Sequence, residues 1–168
     1  MNSVTRARPN AAGERERFVA LYESHGAAVL AYARRRVGAD EADDVLAETF
    51  LVAWRRRREV PDDALPWLYA VAGNVVRNRL RAERRRGALY ARMASTVPPA
   101  AGEAAQDLKL GEALARLKAI DREALLLTAW EGLEPERAAR AAGCSRATFH
   151  VRLHRARTRL AQALEEQR

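Results

Sequence analysis

The stretch that most restricts the possible folds is residues 131–160, EGLEPERAARAAGCSRATFHVRLHRARTRL. Pro135 suits the first turn of a helix, where a backbone N–H would have no intrahelical partner. Gly143 can adopt the positive φ that ends a helix, and Ser145 is placed to cap the next helix through its side-chain oxygen. This order predicts two helices joined by a tight turn.

The second of these helices has one apolar stripe, because Leu153, Ala156 and Leu160 recur at helical spacing. Its other faces carry arginine and histidine, and the whole stretch holds seven arginines against three glutamates. Such a helix could be an ordinary solvated surface. The ordered start, turn and cap favour a helix-turn-helix that inserts its second helix into the major groove of DNA. The residues expected to face the groove are Arg146, Thr148, Phe149, His150 and Val151.

Composition supports a polyanionic partner. The chain has 168 residues, a net charge of +8 and a pI near 10.6, which favour nucleic acid or an anionic membrane surface. No apolar run approaches the ~20 residues of a spanning helix, and the N-terminus has no apolar signal segment. We therefore expect a cytoplasmic protein without membrane insertion.

The sequence gives no sign of catalysis or of a cofactor. Cys144 is the only cysteine, and the three histidines are not spaced with it as a ligand set, so neither a disulfide nor a metal site is expected. The acids gather at one helix start without a partnering histidine, and no phosphate-binding glycine loop is present. We expect no catalytic residues, no metal and no cofactor.

Helical periodicity runs through the rest of the chain, and no strand pattern is visible. The apolar spacing predicts a helix from Glu14 to Val37 and another from Pro66 to about Arg86. Asp40, Asp107 and Asp121 are predicted to cap three further helices. The predicted fold is all-α, with two small helical domains joined by a flexible linker. The predicted bounds are a disordered tail 1–12, an N-terminal domain 13–86, a linker 87–106 and a helix-turn-helix domain 107–165.

Two helices of the N-terminal domain have unusual charge patterns. The helix that starts near Asp40 is acidic in its first half and basic at its end, which suits either the helix dipole or an acidic docking face for a basic partner. The helix from Pro66 places Trp67, Asn74 and Asn78 beside an arginine ladder. Such residues could bind single-stranded nucleic acid, with bases stacking on the ring and amides reading their edges. Alternatively, Trp67 belongs to the core and the arginines form the solvent-exposed end of the helix.

Three segments in this order resemble one family. They are DEADDVLAETFLVAWR (40–55), PWLYAVAGNVVRNRLRAERRR (66–86) and, after a Pro/Ala linker, residues 131–160. Together they resemble the extracytoplasmic-function group of bacterial RNA polymerase sigma factors over nearly the whole chain. The resemblance implies a non-enzymatic subunit that binds core RNA polymerase, directs it to promoters and helps to open the DNA.

The resemblance also assigns residues. One helix is expected to dock on polymerase, the loop 60–64 with the next helix to hold the opened minus-ten element, and the C-terminal helix to read the minus-thirty-five element. The chain departs from the family at Gly73, where arginine is usual. The implied polymerase-binding residues are Asp44, Val45, Leu46, Glu48, Thr49 and Phe50; the minus-ten residues are Asp62, Asp63, Asn74, Arg77, Asn78 and Arg81; the minus-thirty-five residues are Arg146, Thr148, His150, Val151, Arg152, His154 and Arg155.

The expected partners are core RNA polymerase, promoter DNA as duplex and as non-template single strand, and an anti-sigma factor. The alternative is a helix-turn-helix transcriptional regulator whose N-terminal helices sense a ligand or form a dimer. One requirement distinguishes the two functions. A sigma factor acts on core polymerase, whereas a regulator needs the complete holoenzyme.

Overall fold

The computed structural model describes residues 11–87 and 104–166, and every regular element in those ranges is a helix. The predicted all-α class is therefore confirmed. Residues 1–10 of the predicted tail and 88–103 of the predicted linker lie outside the described residues, whereas Ala11 and Ala12 belong to the first helix. The helices are α1 (Ala11–Val37), α2 (Ala39–Arg55), α3 (Ala64–Gly87), α4 (Ala104–Ala115), α5 (Ala119–Ala129), α6 (Pro135–Ala141) and α7 (Arg146–Glu165).

The three predicted aspartate caps are wrong. Gly38, with φ of 83°, precedes α2 without a side-chain cap, so Asp40 lies in the first turn. Helix α4 begins at Ala104, which places Asp107 inside it. Lys118 occupies the cap position of α5, and Asp121 lies in its first turn. An acid in the first turn is stabilised by the helix dipole as well, so its presence does not locate the cap.

Helices α1, α2 and α3 form one body around an apolar core. Val29 of α1, Val45 of α2 and Leu68 of α3 are fully buried there. Phe18 contacts Phe50 edge-on, with 6.2 Å between the ring centroids. Each helix thereby buries one stripe and leaves its opposite face to solvent.

Helices α4 to α7 form the second body, in which α6 and α7 are the predicted helix-turn-helix. Gly143 has φ of 63°, and the Ser145 hydroxyl oxygen accepts a hydrogen bond of 3.1 Å from the Thr148 backbone N–H. Both turn predictions are confirmed. Phe149, predicted to face the DNA groove, is instead fully buried, because it lies on the same helical stripe as Leu153.

The two bodies pack against each other. Helix α3 lies beside α6, and the end of α1 meets α5 and the loop that follows it. The Tyr32 hydroxyl donates a hydrogen bond of 2.9 Å to a Glu123 carboxylate oxygen across this boundary. The sequence predicts two domains on a linker, and no periodic pattern in it indicates this contact.

Because Phe149 is buried and Val151 is exposed, substitutions at these two positions of α7 should affect stability differently. Phe149→Ala should lower the free energy of unfolding by about 3–5 kcal/mol, because it leaves a cavity under the turn. Val151→Ala, at an exposed position, should change that free energy by less than about 0.5 kcal/mol. Urea unfolding followed by circular dichroism measures both. Equal effects would show that Phe149 is not part of the core.

Candidate polymerase and DNA interfaces

The acidic face of α2 is exposed. The side chain of Asp44 is 73% exposed and that of Glu48 is 47% exposed. Arg79 of α3 reaches both, at 3.5 Å from Asp44 and 3.3 Å from Glu48. Leu51 is also exposed. It follows Glu48 by three residues, and this spacing places both side chains on the same face of the helix, so the sequence alone could have predicted it. The face is therefore an acidic strip with an apolar edge.

The other predicted polymerase-binding residues lie beneath this strip. Val45, Thr49 and Phe50 are buried, and Leu46 is half-buried. The Thr49 hydroxyl donates a hydrogen bond of 2.7 Å to the Val45 carbonyl oxygen. Buried side chains cannot contact a partner of the folded chain, so Val45, Thr49 and Phe50 can only support the acidic strip.

Helix α3 exposes four of the predicted minus-ten residues, which are Asn74, Arg77, Asn78 and Arg81. Arg77 donates a hydrogen bond to the Asn74 side-chain oxygen, which orients that amide. Gly73 is buried beside them, and a Cβ atom added there would lie 2.9 Å from the Tyr32 hydroxyl oxygen. Any larger residue at this position would require the Tyr32 hydroxyl to move.

The two aspartates of the predicted minus-ten loop have different surroundings. Asp62 lines a cavity of about 350 Å³ between the loop and α1, with Pro61 and His25. The Asp63 carboxylate accepts hydrogen bonds from Arg137 and Arg140 of α6. These bonds, from Arg137 first, hold the pKa of Asp63 below its usual value. Among the predicted minus-ten residues, only Asp62 lines this cavity.

The N-terminal half of α7 presents most of the predicted minus-thirty-five residues. Arg146, Thr148, His150, Val151 and His154 are exposed, and Arg152 is half-buried. Since Phe149 and Leu153 face the core, these side chains lie on the exposed side of the helix, and all of them except Val151 are polar. A surface of this kind, on the second helix of a helix-turn-helix, can enter a major groove.

Arg155 has a structural partner. Its guanidinium group donates a hydrogen bond of 3.0 Å to Asp121, whose side chain is fully buried. Arg159 approaches the same carboxylate at 3.5 Å. A buried carboxylate needs such compensation, because an unpaired charge in the core is strongly destabilising. Arg155 therefore holds α7 on α5, although its side chain is still 45% exposed.

The described ranges contain no group of three or more metal-ligating side chains. No helix within them is long and apolar enough to cross a membrane. The surfaces that remain are the acidic strip on α2, the amide and arginine face of α3 and the polar face of α7.

Comparison with known proteins identifies the family of the chain. Residues 21–86 match the model of sigma-70 region 2, and residues 107–160 match that of sigma-70 region 4. The chain is 33% identical to RNA polymerase sigma factor NccH of Alcaligenes xylosoxydans, over 95% of this chain and 92% of that one. It is 34% identical to the ECF sigma factor SigL of Mycobacterium tuberculosis, over 93% of each chain.

A solved structure shows the same fold. The sigma factor RpoE of Bartonella quintana, determined in complex with the anti-sigma factor NepR, aligns with a TM-score of 0.71 and 25% identity. The alignment covers 91% of this chain and 99% of that one. The region 2 match contains α2 and nearly all of α3, and the region 4 match contains α6 and most of α7. The chain belongs to the sigma-70 family of RNA polymerase sigma factors, in its extracytoplasmic-function group, whose members direct polymerase to promoters.

Proposed function

We propose that the chain divides promoter recognition among three of its helices. Helix α2 docks on core RNA polymerase, the loop 60–64 with α3 holds the opened minus-ten strand, and α7 reads the minus-thirty-five duplex. The chain supplies contacts and no chemical step, so it acts as a non-enzymatic subunit. Its place of action is the cytoplasm, where it meets polymerase and DNA.

The observation that carries this proposal is the exposure of three chemically different faces on three helices. The α2 strip is acidic with Asp44 and Glu48, whereas α3 exposes arginines and amides and α7 exposes arginines and histidines. An acidic surface cannot bind the DNA backbone, because the phosphates repel it. A protein partner for α2 and nucleic acid for α3 and α7 follow from the charges.

The two DNA surfaces suit different forms of DNA. Asn74 and Asn78 carry amides that can hydrogen-bond to the edges of unpaired bases, and Arg77 and Arg81 supply charge for the strand. Helix α7 has the shape and charge for a paired groove. Opening a duplex at a flexible step costs a few kcal/mol per unstacked base, which such contacts can offset without ATP.

We also propose an anti-sigma factor as a partner. The support is the Bartonella RpoE structure, in which a sigma factor with this fold is bound to the anti-sigma factor NepR.

Transcription from purified components tests the function. Core polymerase, the purified chain and a promoter recovered from a genomic library should give transcripts from one defined start. Core polymerase alone is the control. If transcripts appear only with a complete holoenzyme that contains another sigma factor, the chain is a helix-turn-helix regulator instead.

The α2 strip gives a prediction for polymerase binding. Asp44→Asn with Glu48→Gln should weaken core polymerase binding about 2- to 10-fold at low salt, because exposed ion pairs contribute little each. The matched control is Glu16→Gln with Glu23→Gln, two exposed acids on α1. Fluorescence anisotropy of the labelled chain measures both affinities. Equal loss in the control would mean that total charge, rather than this strip, determines binding.

Arg152 and Arg155 of α7 should contribute differently to the salt dependence of DNA binding. Arg152→Ala should lower the slope of log affinity for promoter duplex against log salt by about one unit, because one phosphate contact is lost. The unfolding free energy of this variant should stay near that of the wild type.

Arg155→Ala should instead destabilise the C-terminal body by about 1–3 kcal/mol, because Asp121 loses a hydrogen-bonded cation. Urea unfolding and duplex binding at several salt concentrations, measured on both variants, separate the two roles. A stable Arg155→Ala variant with a reduced slope would assign Arg155 to the DNA surface.

A further inference from the structure

The exposed side of α2 carries one stripe of residues whose charge changes sign along the helix. Its members recur at alternating intervals of four and three positions, which keeps them on one face of a helix. In chain order they are two acids, a leucine and two arginines. This charge stripe consists of Asp44, Glu48, Leu51, Arg55 and Arg58.

The side chains of the charge stripe are open to a partner. Those of Asp44 and Arg58 are 73% and 71% exposed. Arg79 reaches Asp44 at 3.5 Å from α3, and Glu14 reaches Arg58 at 3.2 Å from α1. These contacts leave most of both side chains in solvent. Arg55 is exposed as well, and it belongs to no ion pair within the described residues.

The centre of the charge stripe is apolar. Leu51 is 46% exposed, and Trp54 lies beside it on the same helix with 36% exposed. Tyr22 of α1 extends this surface, because its ring packs edge-on against Phe50 with 4.9 Å between the ring centroids and is itself exposed. Large apolar side chains that gather on one face of a folded protein mark a contact site.

The order of charges matches a second copy of the same stripe. When two α2 helices lie antiparallel about a two-fold axis at Leu51, residues equally far before and after Leu51 lie opposite each other. Asp44 precedes Leu51 by seven positions and Arg58 follows it by seven. Glu48 precedes it by three and Arg55 follows it by four. Each acid of one copy therefore meets an arginine of the other, and the two leucines meet on the axis.

Other classes of partner use only part of this pattern. The polymerase contact proposed above uses the acids and Leu51, and leaves Arg55 and Arg58 without a role. DNA and anionic membranes attract the arginines, but the acidic half of the stripe repels both. A second copy satisfies both halves at once, because symmetry repeats each acid–arginine pair.

We propose that two copies of the chain associate through the charge stripe as a symmetric dimer that cannot bind core polymerase. The dimer covers Asp44 and Glu48, so its chains cannot dock through α2. The contact follows a helix of 17 residues, about 25 Å long, which is less than a standard protein interface. The dissociation constant should be on the order of 10–100 µM. The exclusion of polymerase rests on the proposed docking role of α2.

Charge reversal in two separate variants tests the dimer without polymerase or DNA. Glu48→Arg has arginine at both positions 48 and 55, and Arg55→Glu has glutamate at both. Each variant should be monomeric alone, because like charges would meet across the axis. An equimolar mixture should form dimers, since every pair is then of opposite charge. Sedimentation velocity at concentrations above the expected dissociation constant measures all three samples.

The matched controls are Glu165→Arg and Arg157→Glu, which reverse exposed charges on α7. Each alone should form dimers as the wild type does. Circular dichroism should show the same helix content in all variants. A wild-type chain that stays monomeric over the whole concentration range would overturn the proposal. A mixture that sediments no faster than its two components would do so as well.

Cross-linking at the two-fold axis gives a second measurement. Leu51→Cys in a Cys144→Ala background places two thiols opposite each other, so mild oxidation should yield a disulfide-linked dimer. Ala161→Cys, at an exposed position of α7, should yield little.

Saturating core polymerase should suppress the cross-link, because it occupies the same strip. A cross-link that persists in saturating polymerase would contradict the exclusion. If promoter-directed transcription fails while the two charge variants still associate only as a mixture, the dimer is confirmed and the docking role of α2 is wrong.

Discussion

Buried carboxylates decide which arginines of this chain are free to bind DNA. Asp121 is fully buried and the Glu131 side chain is 1% exposed. Leaving such a charge without a partner would cost several kcal/mol, so each must hold an arginine. Arg155 and Arg36 are committed in this way. The chain has 30 lysines and arginines, and charge alone does not show which of them are paired with buried carboxylates. The location of the buried acids does show it.

The turn of the helix-turn-helix could be predicted because its determinants are local. Gly143 supplies a backbone conformation and Ser145 supplies a hydrogen bond to a residue three positions away. Neither depends on distant parts of the chain. Phe149 was the error in this region, although its spacing from Leu153 and Ala156 continues the apolar stripe. The apolar periodicity of α7 therefore indicates a buried side chain at position 149, which the general geometry of a helix-turn-helix does not.

The other predictions that failed concern helix starts, and the contact between the two bodies was not predicted. Asp40 and Asp121 are acids near helix N-termini, where dipole and cap favour the same residue type, so sequence could not separate them. Tyr32 and Glu123 meet across 91 positions of sequence, and no periodic pattern encodes such a contact. Gly73 was the one local sign, because a glycine inside a helix that otherwise favours larger residues indicates a close neighbour.

The chemistry of the contact between the two bodies favours reversible association. Permanent interfaces are mostly apolar, and separating them exposes surface that water cannot satisfy. Here Arg36, Glu123 and Glu131 each become an ordinary hydrated charge when the bodies part, so separation exposes the Tyr32 ring but leaves no buried charge without a partner.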